Sequence, residues 1–97
     1  MSAFMIATIT VNDPAKFQEY LGKTQQVAAP YGAELLCRGR TNQALTGDAV
    51  DHGFTVIVRF PSLEKLDAWH ASPEYQALVP LRQEGVNIRM VSYEELN

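Results

Sequence analysis

Two rhythms of apolar and polar positions divide the chain. Residues 4–11, "FMIATITV", are rich in β-branched side chains and predict a strand. "NDP" ends it. Asp13 suits a helix N-cap, and Pro14 fits the first helical position, where its missing N–H costs nothing. Phe17, Tyr20, Leu21, Thr24, Val27, Ala28 and Tyr31 then recur at spacings of three and four, an apolar stripe on one helix face. Gly32 offers the left-handed residue that closes such a helix. "AELLCR" predicts a second strand, and "RGRTNQALTGDAVDHG" is a poorly patterned connection with room for a short strand at 42–46. "FTVIVRF" alternates most cleanly, with Phe54, Val56, Val58 and Phe60 on one face. Pro61 and Ser62 stop it and start a helix, Ser62 as cap and Glu64 in the first turn. Ser72-Pro73-Glu74 repeats that grammar, so the helix bends or breaks and restarts there. "VNIRMVSY" predicts the last strand.

The order is β-α-β-β-α-β. Right-handed crossovers fold it into a four-stranded antiparallel sheet with the helices on one face, an α+β arrangement of the ferredoxin-like kind. If Phe54, Val56, Val58 and Phe60 face the helices, then Thr55, Ile57 and Arg59 face away. The same alternation puts Ile6, Thr8, Thr10, Leu36, Arg38, Asn87, Arg89 and Val91 on that outer side, with Cys37 toward the helices. Such a sheet presents on the order of 300 Å² of partly apolar surface, close to what monomers tolerate. A symmetric homodimer, sheet against sheet, would cover it.

Bulk properties narrow the field without naming a function. Ninety-seven residues allow one domain, 1–97, and 46% hydrophobic with 20% charged residues is ordinary for a globular chain. The net charge of −3 and the scatter of eight basic residues argue against nucleic acid and anionic membrane surfaces. No apolar run approaches spanning length, and the N-terminus enters a strand pattern directly, so the expected location is the cytoplasm. One cysteine, Cys37, excludes an internal disulfide.

The second half, "GFTVIVRFPSLEKLDAWHASPEYQALVPLR", preceded by "YGAELLCRG" and "ITVNDPAKFQEY", resembles domain-of-unknown-function family 1330 of the dimeric α/β-barrel superfamily. The most specific element is Phe60-Pro61-Ser62 followed by Trp69 through Gln76. The resemblance implies two ferredoxin-like subunits joined across their sheets. Where family members often show Arg-Gly-Gly after the second strand, this chain has Arg38-Gly39-Arg40. The superfamily also includes cofactor-independent monooxygenases whose second helix carries a Trp and, six positions on, a Tyr. Trp69 and Tyr75 match that spacing, while the Asn such enzymes place one turn earlier is Lys65 here.

Two sets of residues are candidates for a site. Trp69, His70 and Tyr75 can form an aromatic wall with a titratable ring, His70 and Tyr75 as catalytic groups, or Trp69 and Tyr75 can be core anchors with His70 in solvent. Arg38, Arg59 and Arg89 share the predicted outer face and, if they converge, suit a carboxylate or an enolate oxygen; structural pairing with acids is the alternative. Asp48, Asp51 and His52 match no common metal spacing, and no nucleophile triad, phosphate loop or dinucleotide fingerprint is present, so neither metal nor cofactor is expected. Two functional readings stand: a homodimeric protein with a small-molecule pocket between sheet and helices, which takes an aromatic or anionic ligand, and a cofactor-independent monooxygenase- or isomerase-like enzyme.

Overall fold

The computed structural model describes residues 1–96. Strands β1 (Ala3–Val11), β2 (Glu34–Arg40), β3 (Phe54–Phe60) and β4 (Val86–Glu94) form one antiparallel sheet in the order β2-β3-β1-β4. Helices α1 (Pro14–Ala28), α2 (Leu63–Ala71), α3 (Pro73–Gln76) and α4 (Val79–Gly85) connect them. The ferredoxin-like order read from the sequence is the fold. No helix among the described residues is long and apolar enough to cross a membrane.

Local chemistry sets the element ends. The Asp13 carboxylate accepts from the N–H groups of Ala15 and Lys16 at 3.1 and 3.3 Å, which caps α1. α1 is shorter than its apolar stripe, because Pro30 has no N–H to continue the ladder. A 3₁₀ turn over Ala29–Tyr31 follows, closed by Gly32 at φ 79°. Ser62 caps α2 by accepting from the Lys65 N–H at 3.1 Å. Ser72 is buried and works on both sides of the helix break: its hydroxyl donates to the Trp69 carbonyl at 2.7 Å and accepts from the Tyr75 N–H at 3.1 Å. Pro73 holds Ser72 in extended geometry, so the chain turns sharply between Trp69 and Tyr75.

The central strand obeys the period of two. Ala3, Met5, Ala7 and Ile9 are buried toward the helices, and they pair in register with Phe60, Val58, Val56 and Phe54. Ile88 and Met90 join the same face from β4. Phe17, Tyr20 and Ala28 of α1 and Leu66 and Trp69 of α2 complete the core above it. The opposite face carries a row Ile57–Ile6–Val91 across three strands, beside a stacked pair of rings, Phe4 and Tyr93, 5.2 Å apart.

Two expectations fail on β2 and its loop. The register shifts between Leu35 and Cys37, so Cys37 pairs with Ile57 and Arg38 with Val56. One extra residue reverses the side-chain alternation beyond it. Cys37 therefore lies on the outer side and Arg38 on the helix side, the reverse of what strict alternation gives. No strand forms at 42–46; the connection is irregular there.

Ser72→Ala should cost about 1–2 kcal/mol in urea unfolding, since it removes the cap on the Tyr75 N–H and one of the two hydrogen bonds to the Trp69 carbonyl. An unchanged midpoint would show that the hydroxyl does not hold the break.

Candidate functional site

The sheet and helices do not close completely. Between α1, α2 and the helix-facing side of the sheet lies a cavity of about 210 Å³. Its floor is Met5, Ala7, Val56, Val58 and Met90, and its mouth opens beside Gln25, Ala29 and the half-exposed Leu35. Among the described residues no charged one lines it. Tyr20 and Thr24, one helical turn apart on α1, and Trp69 on α2 are among its lining residues, though the Thr24 hydroxyl and the Trp69 Nε1 have no accessible surface toward it.

Two of those atoms lack what burial demands. The Trp69 indole Nε1 and the Thr24 hydroxyl are shielded from solvent, and neither has a hydrogen-bond partner. Trp69 is only 2% exposed. An unpaired buried donor costs free energy, so polar groups in cores are ordinarily matched. Local packing explains why the ring stays in place: it lies 4.6 Å from the Tyr75 ring and 5.3 Å from Phe60.

Behind the cavity wall a hydrogen-bonded chain runs through the core. Arg82 Nη1 donates to the Tyr75 oxygen at 3.0 Å, and that oxygen lies 2.8 Å from the Tyr20 oxygen. The Met90 sulfur stands 3.8 Å from it as a weaker acceptor. Burial, and then the neighbouring Tyr75, raise the Tyr20 phenol above its ordinary pKa of 10.0, so it stays protonated. Tyr75 itself has no exposed surface, which explains its position: it packs between α1 and β4 and joins Tyr20 to Arg82.

The other candidates fall elsewhere. His70 is exposed; its ring lies 5.2 Å from the Tyr75 ring beside a second, more open cleft of about 350 Å³ that Asp67, Ser92 and also Trp69 line. Arg59 donates to Glu95 Oε2 at 2.6 Å and to the Ser2 hydroxyl at 3.3 Å. Hydrogen bonds from Ser2 and then Arg59 hold the Glu95 carboxyl below its ordinary value. Arg89 is exposed on the outer face, pairing with Thr8, whereas Arg59 pairs with Phe4. That four-residue offset along β1 is roughly 13 Å, and β1 itself lies between the two strands that carry them. With Arg38 turned to the other side, the three arginines do not converge, and none lines the cavity. Among the described residues no group of His, Cys, Asp and Glu gathers to hold a metal ion. Sequence reasoning passed over Tyr20, Thr24 and Arg82. The first two read as members of an apolar stripe, and their polar tips on one helix face were the signal available.

The chain belongs to the family described as a domain of unknown function (DUF1330), whose model matches residues 2–96. This confirms the resemblance read from Phe60-Pro61-Ser62 and Trp69 through Gln76. A search of curated proteins gives no match. Solved structures of the same fold include a protein of unknown function from Rhodopseudomonas palustris, with TM-score 0.82 and 18% identity over 99% of this chain and 83% of that one. SnoaB, a cofactor-independent oxygenase from Streptomyces nogalater, superposes with TM-score 0.71 and 11% identity over 99% of this chain and 94% of its own. A dimeric ferredoxin-like protein of unknown function from Thermobifida fusca follows with TM-score 0.61 and 18% identity, over 98% and 92%. At these identities the likeness is one of fold.

Tyr75→Phe should destabilise the protein by about 1–3 kcal/mol, because Arg82 and Tyr20 both lose their buried partner. Chemical denaturation with an unchanged circular-dichroism spectrum would check it.

Proposed function

We propose that this DUF1330 member is a homodimeric small-molecule-binding protein, each subunit holding one planar, mostly apolar ligand in the cavity between α1, α2 and the sheet. The apolar space of about 210 Å³ left open between the helices and the sheet carries the reading. A core built only for stability would fill that space. A cavity of about 150 Å³ takes benzene, so about 210 Å³ suits one substituted ring. Trp69 is the ligand contact among the predicted residues, and Arg59 and Arg89 belong to the outer face.

The protein has one tryptophan, so a single indole N–H resonance reports the cavity. Titration with a panel of small aromatic ketones, phenols and carboxylates should shift that resonance and raise the melting temperature for at least one class. If no compound moves it at millimolar concentration, the binding reading fails.

A second reading, an oxygenase- or isomerase-like activity, draws support from the Trp69–Tyr75 spacing and from the shared fold with SnoaB. In it Tyr75 acts through Tyr20, and His70 is the nearest base. His70 stands outside the cavity on the exposed side of α2, which is why binding is the first reading. Oxygen uptake or isomerisation of a ligand that has first been shown to bind would select the catalytic alternative.

The homodimer rests on the outer sheet face, where Ile6, Ile57, Val91 and the Phe4–Tyr93 stack form a partly exposed apolar band. A second copy would bury roughly 1,200 Å² or more in total. Light scattering at micromolar concentration should give twice the 10.8 kDa chain mass, and Ile57→Arg should shift it toward monomer. A wild-type monomer would remove the claim.

A further inference from the structure

The guanidinium of Arg82 is used on one corner. Its Nη1 donates to the buried Tyr75 oxygen at 3.0 Å, and among the described residues it forms no ion pair with an acid. The acids at this end of the fold are engaged elsewhere: Glu84 pairs with Lys16, and the Asp13 carboxylate caps α1. Among the described residues, the side-chain polar atoms both shielded from solvent and without a partner belong to Thr24 and Trp69. Arg82 Nε and Nη2 have no partner in the chain, so they reach solvent. Arg82 lines an open cleft of about 390 Å³, where β1 passes into α1 and α4 into β4, and neither of the two spaces described above.

The rest of that cleft suits an anion. Asn12, Gln83 and Asn87 bring carboxamides, whose NH2 groups donate, and Val86 and Ile88 form an apolar back. Among the described residues no acid lines it. Its wall is fixed in advance: the Asn12 and Asp13 N–H groups donate to the Gly85 carbonyl at 2.9 and 3.0 Å, and Val11 pairs with Val86. The bond to Tyr75 holds Arg82 in the same way, which lowers the ordering cost of binding.

We propose that this cleft is a second binding site, for a small oxyanion (a carboxylate or phosphate group) held by the free edge of Arg82 and the amides of Asn12, Gln83 and Asn87. The Nε and Nη2 edge of a guanidinium presents parallel N–H donors that match two oxygens of such a group. A half-buried cation without an acid gains the counter-charge it lacks. The site is separate from the apolar cavity and does not depend on what that cavity holds.

Isotope-labelled full chain is titrated with sodium phosphate and, separately, with sodium acetate, against sodium chloride at equal ionic strength. The readouts are the Arg82 Nε–H resonance and the side-chain amide resonances of Asn12, Gln83 and Asn87. These should shift together and saturate at millimolar concentration with at least one oxyanion and not with chloride; the tighter of the two identifies the group. Arg82→Lys keeps the charge but loses the edge, and should weaken binding about tenfold. Arg82 also holds Tyr75, so Asn87→Asp, at an exposed strand position, decides the matter if that variant does not fold. A carboxylate placed in the cleft should weaken binding by about tenfold or more. Shifts that never saturate, or that appear equally at the exposed Arg40 and Lys65, mean ionic screening only and overturn the site. An affinity that Asn87→Asp leaves unchanged overturns it as well.

Discussion

A phenol oxygen buried without solvent must find its hydrogen bonds inside the protein, and much of this structure is arranged around that demand at Tyr75. Its ring has no exposed surface, and its oxygen meets Tyr20 from α1, Arg82 from α4 and the Met90 sulfur from β4. Helix α1 and the distant α4–β4 segment are thereby set at fixed distances from one atom. The break at Ser72-Pro73 makes this geometry reachable. A continuous helix would carry Tyr75 around the axis away from Trp69, whereas the capped restart folds the two rings to 4.6 Å. Arg82 gains an uncharged acceptor in a site without an acid, so its charge biases the phenol pair and is not neutralised by it.

The two faces of the sheet divide the remaining tasks. On the helix side, small residues at Ala3 and Ala7 of β1 let the aromatic side chains of α1 and α2 approach, while Met5 and Ile9 fill the space between. Gly85 serves the same closeness at the other end: a Cβ there would sit 3.1 Å from the Phe17 nitrogen, and its carbonyl accepts from Asn12 and Asp13 as the chain enters α1. The start of α1 is thus held tightly against Gly85, and the cavity lies farther along the helix, at Thr24 and Ala28. There the residues on α1 are too short to reach the sheet, and the cavity results. On the outer side no helix covers Ile6, Ile57 and Val91.

Most of the architecture was legible because it follows from periodicity and punctuation. Asp13, Ser62 and Ser72 all cap where the sequence places them, and the alternation of β1, β3 and β4 holds along each strand. The arginine set was misplaced by the bulge at Leu36. Period-two reasoning has no way to register one extra residue in an edge strand, since nothing in "AELLCRGR" breaks the apolar pattern at that point. The short strand at 42–46 failed for a related reason: a few residues of weak pattern hold no strand without a neighbour to pair with. At the candidate site, Trp69 and Tyr75 stood out by spacing, yet their roles differ. One lines the cavity and the other lies behind its wall. Tyr20 and Thr24 were legible only as core-facing positions, because periodicity places side chains on a face and cannot show which polar tips pair, as Tyr20 does with Tyr75.

The cavity and its unpaired donors together oppose the economy of a packed core. At about 24 cal/mol per Å³, an empty space of 210 Å³ would cost up to about 5 kcal/mol, an upper bound because the mouth is open. The unsatisfied Trp69 N–H adds about 1–3 kcal/mol in the same place. For a chain of this size the sum is comparable with the whole stability of a typical domain. Either cost could be removed by a simple substitution: a larger residue at Ala28 or Ala33 for the space, a ring without an N–H at position 69 for the donor. Under the proposed reading, an occupant of the cavity would relieve the cost of the space. Such an occupant binds the folded chain alone and stabilises it in proportion to the logarithm of its concentration over its dissociation constant. In that reading binding and folding would be coupled through one site, and a ligand of matching shape would offset the cost of the empty space.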